Sequence, residues 1–250
     1  LLGGALFVMP LFSFAYDDKT THPALTQEII KLFNRRFSNF AISDKDTEHV
    51  IQGSIDEDKE MRWMHHFYDP VHNRGFTYGT EWMSSKEWAQ NTKKQAGFSD
   101  SVLAGTFKSL FSGEYDYSWD RAVYEYAWGD KERGLKSLGH VLHLIEDTGV
   151  PDHTRNDPHP PVHDFGSPYE TWAKKFSREN FEIKNMDSKK VSELQNLNSF
   201  FDSLAIYSNN NFFSKDTIVT KNYSLPKITN KITKKLSDGQ NHLFGITQDQ

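Results

Sequence analysis

Three short segments of this 250-residue chain combine histidines with carboxylates, and these are its residues best suited to chemistry. The first segment reads GHVLHLIEDTGVPDH. Its His143 and Asp147 are four residues apart, so on a helix they share one face and can bind one metal ion. A glycine and a proline follow and stop the helical pattern. His153 can therefore approach the same ion from a loop.

The other two segments hold the same residue types. HHFYDP at 65–70 follows the acidic run DED at 56–58, and His163 precedes Glu170 by seven residues across a turn. A histidine beside aromatic residues is more often a core residue than a ligand, but the acidic run favours a ligand here. The chain has no cysteine, so any zinc would be held by His, Asp and Glu alone.

This number of donors suits more than one zinc ion. A multi-zinc site lowers the pKa of a bound water to about 7 and so provides hydroxide at neutral pH. It also neutralises the charge that develops on phosphate oxygens during in-line displacement. Hydrolysis of phosphoesters is the chemistry that most needs both effects.

HFYDP at 66–70, LHLIEDTGVPDH at 142–153 and YE at 169–170 resemble the zinc-dependent phospholipase C family. The wider superfamily also holds the single-strand-specific zinc nucleases. The resemblance covers roughly residues 16–180, and it implies three zinc ions in a cleft of a helical bundle.

The resemblance also implies a ligand set, in which Asp58 is preferred to Asp56 because the family places its Asp five residues after a glycine, here Gly53. His159 is a rival to His163, since the spacing to the glutamate is longer than the family's usual four. The implied ligands of the three ions are, in order, Asp58, His66, His143 and Asp147; His153, His163 and Glu170; and the N-terminal amine and carbonyl of Tyr16 with His22 and Asp147.

The implied activity is hydrolysis of a phospholipid or another phosphodiester, with contact to a membrane surface. Asp58 would act as general base, and Trp63 stands where the family can carry an aromatic contact to the headgroup. Lys59 replaces an aromatic residue of a choline-preferring relative, so the sequence does not favour choline. The alternatives are a single-strand nuclease or nucleotidase of the same fold, and a non-catalytic, zinc-stabilised binding protein.

The charge of the chain says little about other partners. A net charge of −5 gives no electrostatic reason for an obligatory nucleic-acid partner. No protein partner is predicted.

The first fifteen residues, LLGGALFVMPLFSFA, are apolar and uncharged. They are typical of the apolar region of a signal peptide, with Ala15 before the cleavage site and Tyr16 as the mature N-terminus. The family usually has Trp at that position. A buried first helix or a membrane anchor is the alternative, but the run falls short of the roughly 20 residues that span a bilayer. We therefore expect a secreted or periplasmic protein.

The elements that must position these residues are helices. We expect an all-α protein with one multi-helix bundle domain at 16–250, its part beyond about 180 uncertain, because no run alternates strongly enough to build a sheet. His140 is expected to support the ligands from behind without binding metal. Glu146 is expected to point away from the helix face that carries the ligands, as a solvated or a structural carboxylate. The aromatic residues at 119–128 are expected in the core. His49, His65, His72 and His242 are expected to be surface or core residues. Helical patterns cover 22–37, 44–53, 84–112 with a polar interruption near Gly97, 119–128, 131–148, 167–180 and 188–207, and loops are expected at 55–78 and 157–168.

Overall fold

The computed structural model describes residues 19–77, 79–97, 115–159, 166–183, 196–218, 220–226, 232–237 and 243–247. Several predictions fall on residues outside these ranges: the signal peptide at 1–15, the N-terminal ligand Tyr16, the ligand His163, the position of His242 and the first part, 188–195, of the helical pattern at 188–207. The helices described are α1 (Thr21–Arg36), α2 (Asp44–Glu57), α3 (Ser85–Trp88), α4 (Thr92–Ala96), α5 (Trp119–Trp128), α6 (Lys131–Asp147), α7 (Pro151–Thr154), α8 (Pro168–Ala173) and α9 (Leu197–Asn211), with 3-10 turns at Ser38–Phe40, Glu60–His65 and Lys215–Thr217.

The fold is helical, which confirms the all-α class. One antiparallel hairpin, β1 (Ile232–Ser237) with β2 (Leu243–Thr247), is an addition that the sequence did not predict. Both strands are short, and β1 carries two adjacent lysines in place of a clear alternation. Among the described residues, no helix combines the length and apolar character needed to cross a membrane.

Several predicted boundaries were wrong. Helix α2 continues to Glu57, so the first residues of the expected loop at 55–78 are helical, and a 3-10 turn follows them. The expected long helix at 84–112 begins instead as two short helices, because Asn91 caps the second one by accepting a hydrogen bond from the Lys94 N–H. The remainder of that segment lies outside the described residues.

Helix α6 lies at the centre of the bundle and contacts α1, α2 and α5. It begins at Asp130, whose carboxylate accepts hydrogen bonds from the first-turn N–H groups of Glu132 and Arg133. Val141 and Leu144 pack with Trp88 and Phe201 in one apolar cluster. An adjacent side of α6 carries polar side chains that are buried just as deeply, and this side forms the site described below.

Helices α2 and α6 cross with their backbones in contact. A methyl group placed on Gly139 would lie 2.0 Å from the Val50 carbonyl oxygen, and one on Gly53 would lie 1.9 Å from that of Lys136. Real side-chain carbons do not approach backbone oxygens so closely, so only glycine fits at either position. The two glycines therefore set the separation of these helices.

The aromatic residues of α5 correct a further expectation. Tyr126 is 59% exposed and Trp128 is 77% exposed, so these side chains are not core residues. Ala122 and Glu125 form the buried side of this helix instead.

Substituting Gly139 with alanine should force α2 and α6 apart. Over-packing against rigid backbone costs on the order of 3 kcal/mol, so the melting temperature should fall by several degrees. Gly97→Ala is the matched control, because its added carbon would meet its nearest neighbour at 3.3 Å. Equal melting temperatures for the two variants would contradict the tight crossing.

Candidate metal centre

The carboxylate of Asp147 lies among four imidazoles. It is fully buried at the end of α6, and its histidine neighbours come from α1, α6, α7 and the loop after the 3-10 turn at Glu60–His65. The distances from the Asp147 oxygens are 3.3 Å to His22 Nε2, 2.8 Å to His66 Nδ1, 3.4 Å to His143 Nε2 and 3.7 Å to His153 Nδ1.

Among the described residues, three groups of buried side chains have the composition and spacing to hold metal ions. In each group the ligand atoms all lie within 4.8 Å of one another, and two of the groups share His143. The groups are His22, His143 and Asp147; Asp58, His66 and His143; and His153, His159 and Glu170. All of these residues are buried.

The crossing of α2 and α6 builds the group that contains Asp58. His143 Nδ1 lies 2.7 Å from the backbone oxygen of Ser54 across the crossing, which leaves Nε2 facing the group. Asp58 follows the last turn of α2, and its Oδ1 lies 3.7 Å from both His66 Nδ1 and His143 Nε2. Asp56, the rejected alternative, is half-buried and bonds to Gln52 and Lys59 away from the site.

His22 enters the site from the first turn of α1. Its Nδ1 lies 2.6 Å from Glu146 Oε2, and the other oxygen of Glu146 accepts a hydrogen bond from Thr26. Thr21, one residue earlier, donates to the backbone oxygen of Ala173 at the end of α8. The Thr21 contact holds the first turn of α1, and the Glu146 contact orients the His22 ring, so that Nε2 of His22 faces Asp147.

The third group depends on the sharp turn between α6 and α7. The N–H of Val150 donates a hydrogen bond to the backbone oxygen of Asp147, and Pro151 then begins α7, where its missing N–H is no loss. The turn brings His153, on α7, back beside Asp147. Its Nε2 lies 3.7 Å from Glu170 Oε1, and His159 Nε2 lies 2.9 Å from the same oxygen.

Glu170 is itself held by a capping residue. Ser167 caps α8 by accepting a hydrogen bond from the Glu170 N–H, and its hydroxyl donates to the buried carboxylate of Asp152. The backbone of α8 and the residue before His153 are thereby tied together. The glutamate is positioned by this link as well as by its own helix.

Four of the histidines have their second ring nitrogen at a fixed acceptor. Ligating histidines almost always make such a contact, which selects the tautomer and the ring orientation. The pairs are His22 Nδ1 with Glu146 at 2.6 Å, His143 Nδ1 with Ser54 O at 2.7 Å, His153 Nδ1 with His66 O at 3.2 Å, and His159 Nδ1 with Asp157 O at 2.9 Å. His66 is turned the other way, with Nδ1 toward Asp147.

Unsatisfied atoms show that this polar cluster fits metal ions. Within the described residues, both carboxylate oxygens of Asp58 and of Asp147 are buried without a hydrogen-bond partner, and so is His143 Nε2. Each buried acceptor left in this way costs about 1–3 kcal/mol. Divalent cations would supply the missing partners, and His with carboxylate is a donor set that zinc accepts.

The charges of the cluster also suit cations. Burial alone would raise the pKa of Asp147, but the surrounding imidazoles, His143 foremost, hold that pKa well below its ordinary value. Burial alone would lower the pKa of His22, yet the neighbouring carboxylates of Asp147 and Glu146 raise that pKa to about 10. Without ions, protons on imidazoles compensate the buried carboxylates, and metal ions would take over this role.

Three residues beside the ligands had their own sequence-based expectations. Glu146 was expected away from the ligand face, as a solvated or a structural carboxylate; it is buried and contacts the His22 ring, so it is structural and not solvated. His140 was expected behind the ligands, and its Nδ1 contacts Glu57. His65, expected at the surface or in the core, is a buried residue that stacks on Trp88.

The ligands named from sequence that lie among the described residues all belong to these groups, and His159, the rival to His163, lies beside Glu170. Residues 160–165 lie outside the described part of the chain. Sequence reasoning did not identify Glu57, Glu146 or Ser167 as supports. Helical spacing alone could have revealed Glu146.

No protein-family model matches this sequence, and no curated protein is similar to it. Among solved structures, the chain is similar to the alpha toxin from Clostridium absonum, with 18% identity and a TM-score of 0.46. The match covers 79% of this chain and 53% of that one, so the chain spans about half the length of the toxin structure. The likeness is too slight to assign a family.

Replacing His143 with asparagine should remove an ion from the junction of α2 and α6, because His143 belongs to both groups there. The group around Glu170 does not include His143 and should keep its ion. Metal content per chain, measured by inductively coupled plasma mass spectrometry, would show the loss. His72→Asn is the matched control, since this half-exposed histidine bonds to Asp69 outside the three groups. Unchanged metal content in His143→Asn would refute the site.

His159 and His163 can be separated in the same way. Because His159 faces Glu170 at 2.9 Å, His159→Asn should lower the metal content by one ion per chain, whereas His163→Asn should not. Loss of the ion only in His163→Asn would instead support the assignment made from the family spacing.

Proposed function

We propose that this protein is a zinc-dependent hydrolase that cleaves phosphodiester bonds in the manner of a phospholipase C. One observation carries the proposal: three buried groups of His and carboxylate side chains meet around Asp147 and His143. Several cations held this close together suit phosphoryl chemistry more than simple structural binding.

Zinc is the metal that the donors favour. The chain has no cysteine, and its three groups offer five imidazoles and three carboxylates in all, namely His22, His66, His143, His153 and His159 with Asp58, Asp147 and Glu170. Imidazole-rich sites suit zinc, whereas magnesium and calcium prefer oxygen donors. Bound zinc supplies an acidified water and positive charge for the phosphoryl oxygens.

Asp58 is the residue that we propose as general base. Its carboxylate is buried between His66 and His143, with one oxygen 3.7 Å from a ring nitrogen of each. A general base must lie within hydrogen-bond reach of the proton that it accepts, and this position would place Asp58 beside a water activated in the group. Asp58 would accept the proton of the attacking water while it also serves as a ligand.

An aromatic row beside the third group offers a place for the rest of the substrate. Phe67 stacks on His153 with ring centroids 4.4 Å apart, Phe76 stacks on Phe67 at 4.4 Å, and Trp63 meets Phe76 edge-on at 6.2 Å. Trp63 is half-buried, so the residue is in part accessible to solvent. We propose that Trp63 contacts the headgroup of a phospholipid.

The finer parts of this function rest on sequence. The number of three ions, the role of Tyr16 as an N-terminal ligand, and export to the periplasm or beyond are proposals that follow from the motifs and the apolar N-terminal segment. Membrane-surface contact is part of the same proposal.

The test uses protein with its natural mature N-terminus, loaded with zinc. We expect release of a phosphorylated headgroup from vesicles of phosphatidylcholine or phosphatidylethanolamine, and Asp58→Asn should reduce the rate by a factor of about 10² to 10⁴. Asp56→Asn is the matched control, since that carboxylate bonds only outside the site.

Two outcomes would redirect the proposal. Digestion of single-stranded DNA without lipid cleavage would favour the nuclease alternative. Zinc binding without turnover of either substrate would favour a non-catalytic, zinc-stabilised binding protein and would sink the enzymatic proposal.

A further inference from the structure

His66 is oriented differently from the other histidines of the groups. Its Nδ1 faces Asp147 at 2.8 Å, while its Nε2 points out of the group toward Glu57 Oε1, 3.9 Å away. This Nε2 atom is buried, and among the described residues it has no hydrogen-bond partner. A distance of 3.9 Å is too long for a hydrogen bond, but a shift of about 1 Å would form one.

Glu57 is a carboxylate fixed on several sides. It is fully buried, and its Oε2 accepts a hydrogen bond from Arg62 Nε at 2.7 Å and faces His140 Nδ1 at 2.5 Å. Its Oε1, which faces His66, accepts a hydrogen bond from Trp88 Nε1 at 3.2 Å.

The donors around Glu57 are braced in turn. Arg62 also donates to Gln95 and to the backbone oxygen of Tyr115, and the His140 ring stacks on Tyr117 at 3.9 Å. Glu57 itself is the last residue of α2, directly before the ligand Asp58. A carboxylate held this firmly can orient a neighbouring ring without moving far itself.

We propose that Glu57 is a positioning residue of the metal site. Its carboxylate accepts a hydrogen bond from the Nε2–H of His66 and thereby leaves Nδ1 of that ring free to bind the metal. This inference rests on the proposed metal site and deepens it. It adds a carboxylate–histidine–metal triad to the group that contains Asp58, with His140 and Arg62 holding the carboxylate.

The triad explains why this part of the core is polar. A neutral imidazole carries its proton on one nitrogen only, so an acceptor at Nε2 selects the tautomer whose Nδ1 has a free lone pair. Removal of such outer partners typically lowers metal affinity about 10- to 100-fold. The structure places Glu146 in the equivalent position behind His22, with the two ring nitrogens exchanged.

The first test needs no substitution. Histidine ¹⁵N spectra of the zinc-loaded wild-type protein should show His66 protonated at Nε2 and metal-bound at Nδ1, whereas the other four ligating rings should be protonated at Nδ1. A His66 ring that binds metal through Nε2 would overturn the proposal. If the wild-type protein binds no metal at all, this inference and the proposed function fail together.

The second test compares Glu57→Gln with Asp56→Asn. In Glu57→Gln the new amide oxygen would face the Arg62 and His140 donors, so the amide NH₂ group would point at His66 Nε2 and favour the wrong tautomer. We expect a roughly 10- to 100-fold loss of zinc affinity at the group with Asp58, measured by competition with a chromophoric chelator. The group around Glu170 is the internal reference and should keep its affinity.

The outcomes separate the two proposals. Equal zinc affinity of Glu57→Gln and wild type would overturn the role of Glu57 and leave the metal site intact. Affinity lost equally at the group around Glu170 would also overturn it, because general unfolding would then be the cause. If Glu57→Gln does not fold, the ¹⁵N spectra of the wild-type protein test the role of Glu57, because they show which nitrogen of His66 binds the metal.

Discussion

The contact between the backbones of α2 and α6 is the constraint on which the rest of the site depends. Gly53 and Gly139 let the two helices approach more closely than any side chain would permit. At that distance the Ser54 carbonyl reaches the ring of His143, and Asp58 comes to lie opposite the same ring. A wider crossing would separate the ligand pair contributed by α6 from the carboxylates contributed by α2.

Around this crossing the protein buries an unusual amount of charge. Asp58, Asp147 and Glu170 are each at most 6% exposed, and transfer of carboxylates from water to such a site is expensive unless charge and hydrogen bonds compensate. The compensation comes in layers. Imidazoles surround the carboxylates, while backbone oxygens, Glu146 and Glu57 face the far side of the imidazoles. Such order in the outer layer suits a site that must hold its geometry during chemistry.

The sequence predicts local features well and long-range contacts poorly. The helix at Trp119–Trp128 and the shared face of His143 and Asp147 follow from spacing alone, since both depend on residues within a few turns. The partnership of His159 with Glu170, by contrast, depends on the path of the intervening loop. Glu57 likewise meets His140 only because two helices cross, 83 residues apart in the chain. Neither the short hairpin nor the exposed rings of α5 leaves a periodic pattern that could be recognised.

The membership of His143 in two groups limits how the site can fill. An imidazole nitrogen has one lone pair, so His143 Nε2 can serve one cation at a time. Once His143 binds a cation together with Asp58 and His66, the group of His22, His143 and Asp147 has two donors left for a second cation. These are His22 and an oxygen of Asp147. Two donors make a weak site, and a third cation would need help from outside the described ranges. Cations bound at these groups should therefore be held unequally, with the one at His22 and Asp147 the weakest.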